Sequence, residues 1–251
     1  MHWLAVLLCL AALPLRAEEV VLGLSSDKVA ITATFEGSEI LIFGAVKREA
    51  PISEVPLHVV ITVAGPSLPV TVRRKDRRFG IWVNTDTVHL DEAPTFYAVA
   101  TSGPLDEVLS ATEDLRHRVS VPRAIRSVGA ASMAEDAESF TKALIRIRRG
   151  QNAYQLRENT VVLDEQTLFR TAIRLPANLT EGAYPARIFL TREGRVVSKF
   201  ETVINVHKVG LERWLYTLSR KDPLLYGLMS LAIAIAAGWG ASAAFRALRR
   251  G

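Results

Sequence analysis

The apolar residues of this chain alternate with polar ones over much of its first hundred positions. Alternation of period two, in short runs rich in β-branched and aromatic residues and separated by Gly, Pro, Asn and Asp, predicts half-buried β-strands. The runs are Lys28–Phe35, Glu39–Gly44, Leu57–Val63, Leu68–Arg73, Phe79–Val83 and Phe96–Ala100. Short strands at this spacing predict a mainly β fold, an antiparallel sandwich of immunoglobulin-like type.

Two stretches of helical spacing interrupt the strands. The first follows Pro104 and carries apolar residues at helical intervals, namely Leu105, Val108, Leu109 and Leu115. The second opens with a capping-box pattern from Ser132 to Glu135 and ends at Gly150. Its expected apolar face consists of Ala137, Phe140, Leu144 and Ile147.

Strand patterns return after Gly150, over residues 160–163, 168–175, 184–191 and 196–206. We therefore expect a first β lobe over residues 18–122, a helical insert over residues 123–150 and a second β lobe over residues 151–208. The alternative is one larger sandwich, in which the later strands complete the first sheet.

The second group of strands carries two local signatures. Leu179, Gly182 and Tyr184 match the L-x-x-G-x-Y pattern of the tyrosine corner, in which a phenol hydroxyl ties a loop to a strand. The sequence Arg-Glu-Gly-Arg from Arg192 to Arg195 predicts a hairpin turn.

A long apolar stretch near the end of the chain predicts a membrane span. Pro223 to Phe245 contains no charged residue, and as an α-helix it would measure about 35 Å, enough to cross a hydrocarbon core of about 30 Å. Asp222 and Pro223 suit the N-cap and first position of that helix. Residues 246–251 form the expected tail.

The approach to the span, residues 209–222, predicts a short helix lying at the membrane interface. Leu211, Trp214, Leu215 and Leu218 share one helical face. The expected interface residues are Trp214, Tyr216, Arg220, Lys221 and Tyr226, because aromatic and basic side chains favour the headgroup region. An ordinary linker helix is the alternative.

Small residues recur every four positions within the span. Ser230, Ala234, Gly238 and Ser242 form one row, and Gly240 belongs to a second. Such rows let two helices approach closely in lipid, so we expect the span to pack on an integral membrane protein or on a second copy of the chain. A plain anchor in the lipid bilayer is the alternative.

The N-terminus predicts export. Trp3–Leu13 is apolar but too short to span, and the sequence up to Ala17 suits a signal peptide over residues 1–17. An uncleaved anchor is the alternative. With arginines in the tail, this predicts a single-pass protein of the bacterial inner membrane, with a periplasmic N-terminal domain and a cytoplasmic C-terminus.

Charge and cysteine content narrow the possible chemistry. Four of the five excess positive charges lie in the signal peptide and the tail, so the sequence does not predict binding to nucleic acid. Cys9, the only cysteine, lies in the signal peptide, so the exported part has no thiol for a disulfide or a metal.

No catalytic, cofactor-binding or metal-binding residue is predicted. His58, His89, His117 and His207 stand apart in the sequence, and no serine lies in a G-x-S-x-G motif. One dense basic run, between the fourth and fifth predicted strands, consists of Arg73, Arg74, Lys75, Arg77 and Arg78. We interpret it as a solvated hairpin tip or as a contact for acidic headgroups or an acidic partner.

Several runs carry a resemblance to a known family. They are residues 37–45 (GSEILIFGA), 77–84 (RRFGIWVN), 96–100 (FYAVA), 124–129 (AIRSVG) and 209–216 (VGLERWLY). Over nearly its whole length the chain resembles the alphaproteobacterial putative transmembrane protein family. The resemblance implies an inner-membrane protein, carries over no catalytic residue and makes a membrane permease a candidate partner.

Two functional hypotheses follow. The first is a non-enzymatic accessory or assembly protein whose span binds an integral membrane partner and whose β domain binds a protein or ligand. The second is a membrane-tethered enzyme or ligand sensor. An exposed apolar patch on the β domain would favour the first, and a polar pocket would favour the second.

Overall fold

The computed structural model describes residues 18–26, 28–31, 35–48, 54–127, 137–208 and 211–248. The described residues fall into two compact units, the larger within residues 18–29 and 36–206 and the smaller within residues 30–35 and 207–248. The predicted signal peptide and the Ser132–Glu135 capping box lie outside the described residues.

Strands dominate the described structure, so the prediction of a mainly β fold is confirmed. They are β1 (Glu18–Leu24), β2 (Lys28–Ile31), β3 (Ser38–Arg48), β4 (His58–Ala64), β5 (Ser67–Arg78), β6 (Ile81–Pro94), β7 (Tyr97–Thr101), β8 (Tyr154–Arg157), β9 (Val162–Asp164), β10 (Leu168–Leu175), β11 (Gly182–Arg192) and β12 (Arg195–Lys208). The helices are α1 (Leu105–Val108), α2 (Ala111–His117), α3 (Val121–Ala124), α4 (Ala137–Gly150), α5 (Leu211–Lys221) and α6 (Pro223–Leu248).

The strands form two sheets and a separate hairpin. A four-stranded sheet has the order β1-β3-β10-β9, a six-stranded sheet has the order β2-β12-β11-β4-β7-β8, and β5 pairs with β6 alone. Early and late strands share both sheets, because β10 pairs with β3 and β11 pairs with β4. The expectation of two separate β lobes is therefore wrong, and the later strands complete the sheets begun by the earlier ones. The β7–β8 pair is parallel, unlike the all-antiparallel immunoglobulin pattern.

The central strands of the six-stranded sheet are buried on both faces. On one face Ile61 of β4 lies beside Ala100 and Ile188, and the contacts between β7 and β10 place the four-stranded sheet on this side. On the other face Val60 and Phe189 join a core supplied by the helices, which includes Val108, Leu109, Val121, Phe140, Leu144 and Ile145. The helical segment is thus the crossover between parallel β7 and β8, and it covers the second face of the sheet.

The helical segment differs in detail from the prediction. The expected single helix after Pro104 is divided into α1 and α2, because Leu109 is extended and Ser110 caps α2 by accepting the N–H of Glu113. In α4 the buried residues are Phe140, Leu144 and Ile145, whereas Ile147 is half exposed.

The smaller unit contains α5 and α6. Asp222 separates them: its N–H donates to the Leu218 carbonyl at 3.0 Å, and its carbonyl accepts the N–H of Tyr226 at 3.0 Å. Pro223 takes the first helical position of α6, where a missing N–H costs nothing. The prediction of one long apolar C-terminal helix is confirmed, and α6 extends three residues beyond Phe245.

Candidate functional site

Helix α6 has the length and composition of a membrane span. The segment from Pro223 to Ser242 contains no charged residue, and its most apolar part is not buried against the rest of the described residues. With 26 residues, α6 is about 39 Å long and exceeds the thickness of a hydrocarbon core.

The small residues of α6 present an open surface. Ser230, Ala234, Gly238, Gly240 and Ser242 are all exposed. A methyl group added at Gly238 or at Gly240 would meet no atom within 4 Å outside the helix's own backbone. Bulkier side chains at these two positions therefore fit the isolated chain, and any effect they have would come from a molecule packed against α6.

The predicted interface residues lie on both sides of the α5–α6 junction. Trp214, Tyr216, Arg220, Lys221 and Tyr226 are exposed. The Arg220 guanidinium lies 5.7 Å from the centre of the Tyr216 ring, a cation–π distance. This is the mixture of aromatic and basic side chains that favours a headgroup region.

The basic run forms part of a strand. The sequence predicted that this run connects two strands. It is instead the end of β5, which continues to Arg78, and the turn that follows is Phe79-Gly80. Both turn residues have positive φ, 50° at Phe79 and 86° at Gly80, as a tight turn matching the twist of the strands requires. Consecutive charged residues are compatible with a strand here because both faces of this part of β5 are exposed.

A second surface is the outer face of the four-stranded sheet. In β3 the alternate residues Ile40 and Ile42 are buried, so Leu41 and Phe43 point outward. They join Val21, Val162 and Leu168, and these five apolar side chains are between 41% and 57% exposed. Polar residues of the same strands border them, including Glu39 and Arg174, whose side chains are 3.5 Å apart.

Gly23 shapes this surface, which we call the apolar sheet face. A methyl group on Gly23 of β1 would lie 2.4 Å from Cε2 of Phe43, so the Phe43 ring lies over a position without a side chain. The ring borders a shallow groove of about 510 Å³, whose lining also includes Val21, Leu168 and Arg170.

Comparison with known protein families supports a membrane location. The family described as Putative transmembrane protein (Alph_Pro_TM) matches residues 19–247, which include both sheets, the helical segment and nearly all of α6. The chain belongs to this family. No curated protein matches the sequence. The family's description agrees with α6 as a transmembrane helix.

This family member also has an open polar cleft of about 1090 Å³ at the ends of β8 and β10. Its lining includes Arg149, Arg157 and Arg174, the carboxylate residue Glu36, and the amide residues Gln151, Asn152, Gln155 and Asn178. Arg157 donates to the Ala172 carbonyl at 2.9 Å, and Arg174 pairs with Glu39. The cleft could hold an anion, although two of its cations already have partners within the protein.

Three of the described histidines each contact a different polar side chain. His58 lies 3.4 Å from Ser102 Oγ, His89 lies 2.9 Å from Thr71 Oγ1, and His117 Nε2 lies 3.3 Å from a Glu113 oxygen. Within the described residues, no three His, Cys, Asp or Glu side chains come together in a group suited to a metal ion. Each of these contacts is explained by local packing.

Buried tyrosines fasten the sheets to their connections. The Tyr184 hydroxyl donates to the Thr180 carbonyl at 2.7 Å, which is the contact that the Leu179, Gly182 and Tyr184 pattern predicts. Burial raises the pKa of Tyr184 and of Tyr97, and it raises the pKa of Tyr154 to about 12. These phenols are structural groups that remain protonated near neutral pH.

Sequence reasoning missed the apolar sheet face and the polar cleft. A signal for the first was present: Ile40-Leu41-Ile42-Phe43 is apolar at four consecutive positions, so both faces of β3 had to be apolar. No sequence pattern indicated the cleft, because Arg149, Arg157 and Arg174 come from three elements that only the fold brings together.

Proposed function

We propose that this protein is a membrane-anchored, non-enzymatic accessory or assembly protein of the bacterial inner membrane. Helix α6 binds an integral membrane partner, for which a permease is the candidate. The β domain lies on the periplasmic side and binds a protein partner through the apolar sheet face.

The exposed apolar sheet face is the observation that carries this proposal. Scattered apolar residues are normal on protein surfaces, but a contiguous apolar patch bordered by polar residues is typical of protein–protein contacts. Val21 of β1 and Leu168 of β10 both pair with Ala45 of β3, and Phe43 lies two residues from Ala45 on the same face, so these side chains adjoin. Arg170 pairs with Phe43 and separates it from Val162. The groove between them offers a recess for an apolar side chain of the partner.

The small residues of α6 support the membrane half of the proposal. Gly238 and Gly240 leave room on the helix surface for the backbone of another helix. Another helix can therefore pack against α6 there by van der Waals contact, without any change in α6 itself.

The proposal is tested by purifying the full-length protein from native membranes in mild detergent. Leu41→Gln with Leu168→Gln alters the apolar sheet face, and Val197→Gln with Val203→Gln is the matched control, since these valines of β12 are 48% and 46% exposed. The proposal requires that one protein co-purifies with the wild type and the control but not with the first variant.

A second pair of variants tests the span. Gly238→Leu with Gly240→Leu fills the small-residue surface, and Ile233→Leu with Ile235→Leu is the control in the same helix. An integral membrane protein that is lost only from the glycine variant supports the proposal. If the same proteins co-purify with all four variants, the proposal is wrong. A molecular mass of two chains that the variants abolish would indicate self-association instead.

The polar cleft favours a second candidate, a membrane-tethered ligand sensor or enzyme. Its test is titration of the full-length protein with citrate and inorganic phosphate, beside Arg149→Gln with Arg174→Gln. Saturable binding that the variant loses would favour this candidate over the accessory role.

A further inference from the structure

The β5–β6 hairpin extends well beyond the core. Val72 and Val88, which face each other across the two strands, are the outermost pair that is buried in the helical core. From Arg73 to the turn every residue of β5 is exposed. At 3.4 Å per residue, this part of the hairpin projects about 20 Å.

The two faces of the projecting hairpin differ in charge. Because side chains alternate along β5, Arg73, Lys75 and Arg77 share one face, which we call the basic face. The residues paired with them are Thr87, Asn84 and Trp82. Asp76 is on the opposite face of β5. Asp86 pairs with Arg74, which is also on that opposite face, so neither carboxylate of the projecting hairpin lies on the basic face.

The opposite face is held against the protein. The Arg74 guanidinium lies 4.7 Å from the centre of the Phe140 ring of α4 and donates to Ser139 Oγ at 2.7 Å. It also lies 3.9 Å from a carboxylate oxygen of Asp86. Arg74 is therefore a structural residue that supports the hairpin, and its contacts leave the basic face turned away from α4.

The end of the hairpin carries large apolar side chains. Phe79, Ile81 and Trp82 are 106%, 63% and 69% exposed. Hairpin turns are ordinarily polar. The positive φ of this turn favours residues such as Gly and Asn, so the turn geometry does not explain why Phe79 is present. Trp82 pairs with Arg77, so an aromatic residue continues the basic face to its end.

We propose that the hairpin tip binds the surface of an anionic lipid bilayer. Phe79, Ile81 and Trp82 enter the boundary between headgroups and acyl chains, where aromatic side chains are favoured. Arg73, Lys75 and Arg77 then lie at the level of the lipid phosphates, each strengthening binding about fivefold. The spanning helix keeps the domain close to such a surface, and the inference does not depend on the partner of the apolar sheet face.

The fluorescence of Trp82 is the signal measured in the test. The full-length protein, with Trp3, Trp214 and Trp239 changed to Phe, is reconstituted in nanodiscs of phosphatidylcholine alone or with 30% phosphatidylglycerol. Vesicles of either composition, carrying a doxyl-labelled lipid that quenches tryptophan, are added to the neutral discs. Emission wavelength and quenching are measured in each preparation.

The expected result is a blue shift of Trp82 emission in anionic discs, a blue shift with quenching when anionic vesicles are added to neutral discs, and neither with phosphatidylcholine alone. Changing Arg73, Lys75 and Arg77 to Gln should weaken the binding on the order of 100-fold. The matched control changes three exposed arginines elsewhere, Arg123, Arg146 and Arg195, to Gln and should bind like the parent.

Two results would overturn the inference. One is Trp82 emission that remains typical of water and unquenched in all preparations, which would leave an acidic protein as the alternative ligand. The other is quenching that is equal with neutral and anionic lipid and unchanged by the basic-face variant. Circular dichroism of each variant, matching that of the parent, excludes misfolding as the cause of lost binding.

Discussion

Arg187 is expected to hold the helical segment on the six-stranded sheet. This residue of β11 donates through Nη1 to the His117 carbonyl at 2.7 Å and through Nη2 to the Arg118 carbonyl at 3.1 Å. Both carbonyls end α2, where the helix dipole favours a cation. Nη2 also lies 3.0 Å from the Tyr97 hydroxyl, and Nε donates to Thr62 Oγ1 at 3.1 Å.

The change Arg187→Met keeps most of the side-chain length and removes all four contacts. A hydrogen bond to a charged group contributes about 1.5–3 kcal/mol, and partly buried carbonyls without a donor add to the loss. Some of this is offset because Met packs well and because Arg118 is exposed, so its carbonyl can bind water. We expect a loss of about 3–4 kcal/mol in the free energy of unfolding, and a fall of roughly 10 °C in Tm.

The assay is urea unfolding of the full-length protein in detergent, followed by circular dichroism of the β signal. The matched control is Arg174→Met, since Arg174 is 79% exposed and pairs with Glu39 on the surface, a type of contact that contributes about 0–1 kcal/mol. Combining Arg187→Met with Tyr97→Phe should cost less than the sum of the single changes, because the two side chains share one network. If Arg187→Met costs no more than Arg174→Met, the reasoning is wrong.

Three further predictions concern stability and use the same unfolding assay. Burial raises the pKa of Tyr154 to about 12, so the folded state keeps a proton that the unfolded state loses above its pKa of 10.0. This stability is complete below pH 10 and falls by up to about 2.7 kcal/mol as the pH rises to 12. Tyr154→Phe should lose less stability than the wild type over that range, and equal losses would contradict the assignment. Gly44→Ala should cost about 1–3 kcal/mol, since the new Cβ would lie 2.5 Å from Phe169 Cζ and 2.7 Å from a backbone oxygen. The control Gly150→Ala, with no atom within 4 Å, should cost nothing, and similar costs for both would argue against the close packing. Tyr184→Phe should cost about 1–2 kcal/mol through the lost bond to the Thr180 carbonyl, and an unchanged urea midpoint would show that this bond contributes little.

Sequence reasoning succeeded where a short segment determines its own structure. The alternation in Lys28–Phe35 and Glu39–Gly44 identified β2 and β3, and the Arg192–Arg195 turn is the junction of β11 and β12. The apolar stretch from Pro223 gave α6 because its length and lack of charge leave few alternatives.

The failures arose where distant segments decide the structure. The pairing of β10 with β3 joins residues more than a hundred positions apart, and no local pattern encodes it. β8, from Tyr154 to Arg157, was missed because it is a short edge strand whose pairing with β7 depends on the preceding helices. The hairpin was predicted too short for a local reason, because the consecutive charged residues of β5 were interpreted as a loop although a strand exposed on both faces accepts them.

The order of strands in the sheets has a consequence for biosynthesis. β3 and β4 are made early, yet each needs a neighbour, β10 or β11, that follows more than a hundred residues later. Such distant pairings give the domain a high contact order, which slows folding. Until Val206 has been synthesised, apolar strand edges stay open to wrong pairing, so a chaperone that shields nascent chains should bind this protein before its last strand arrives.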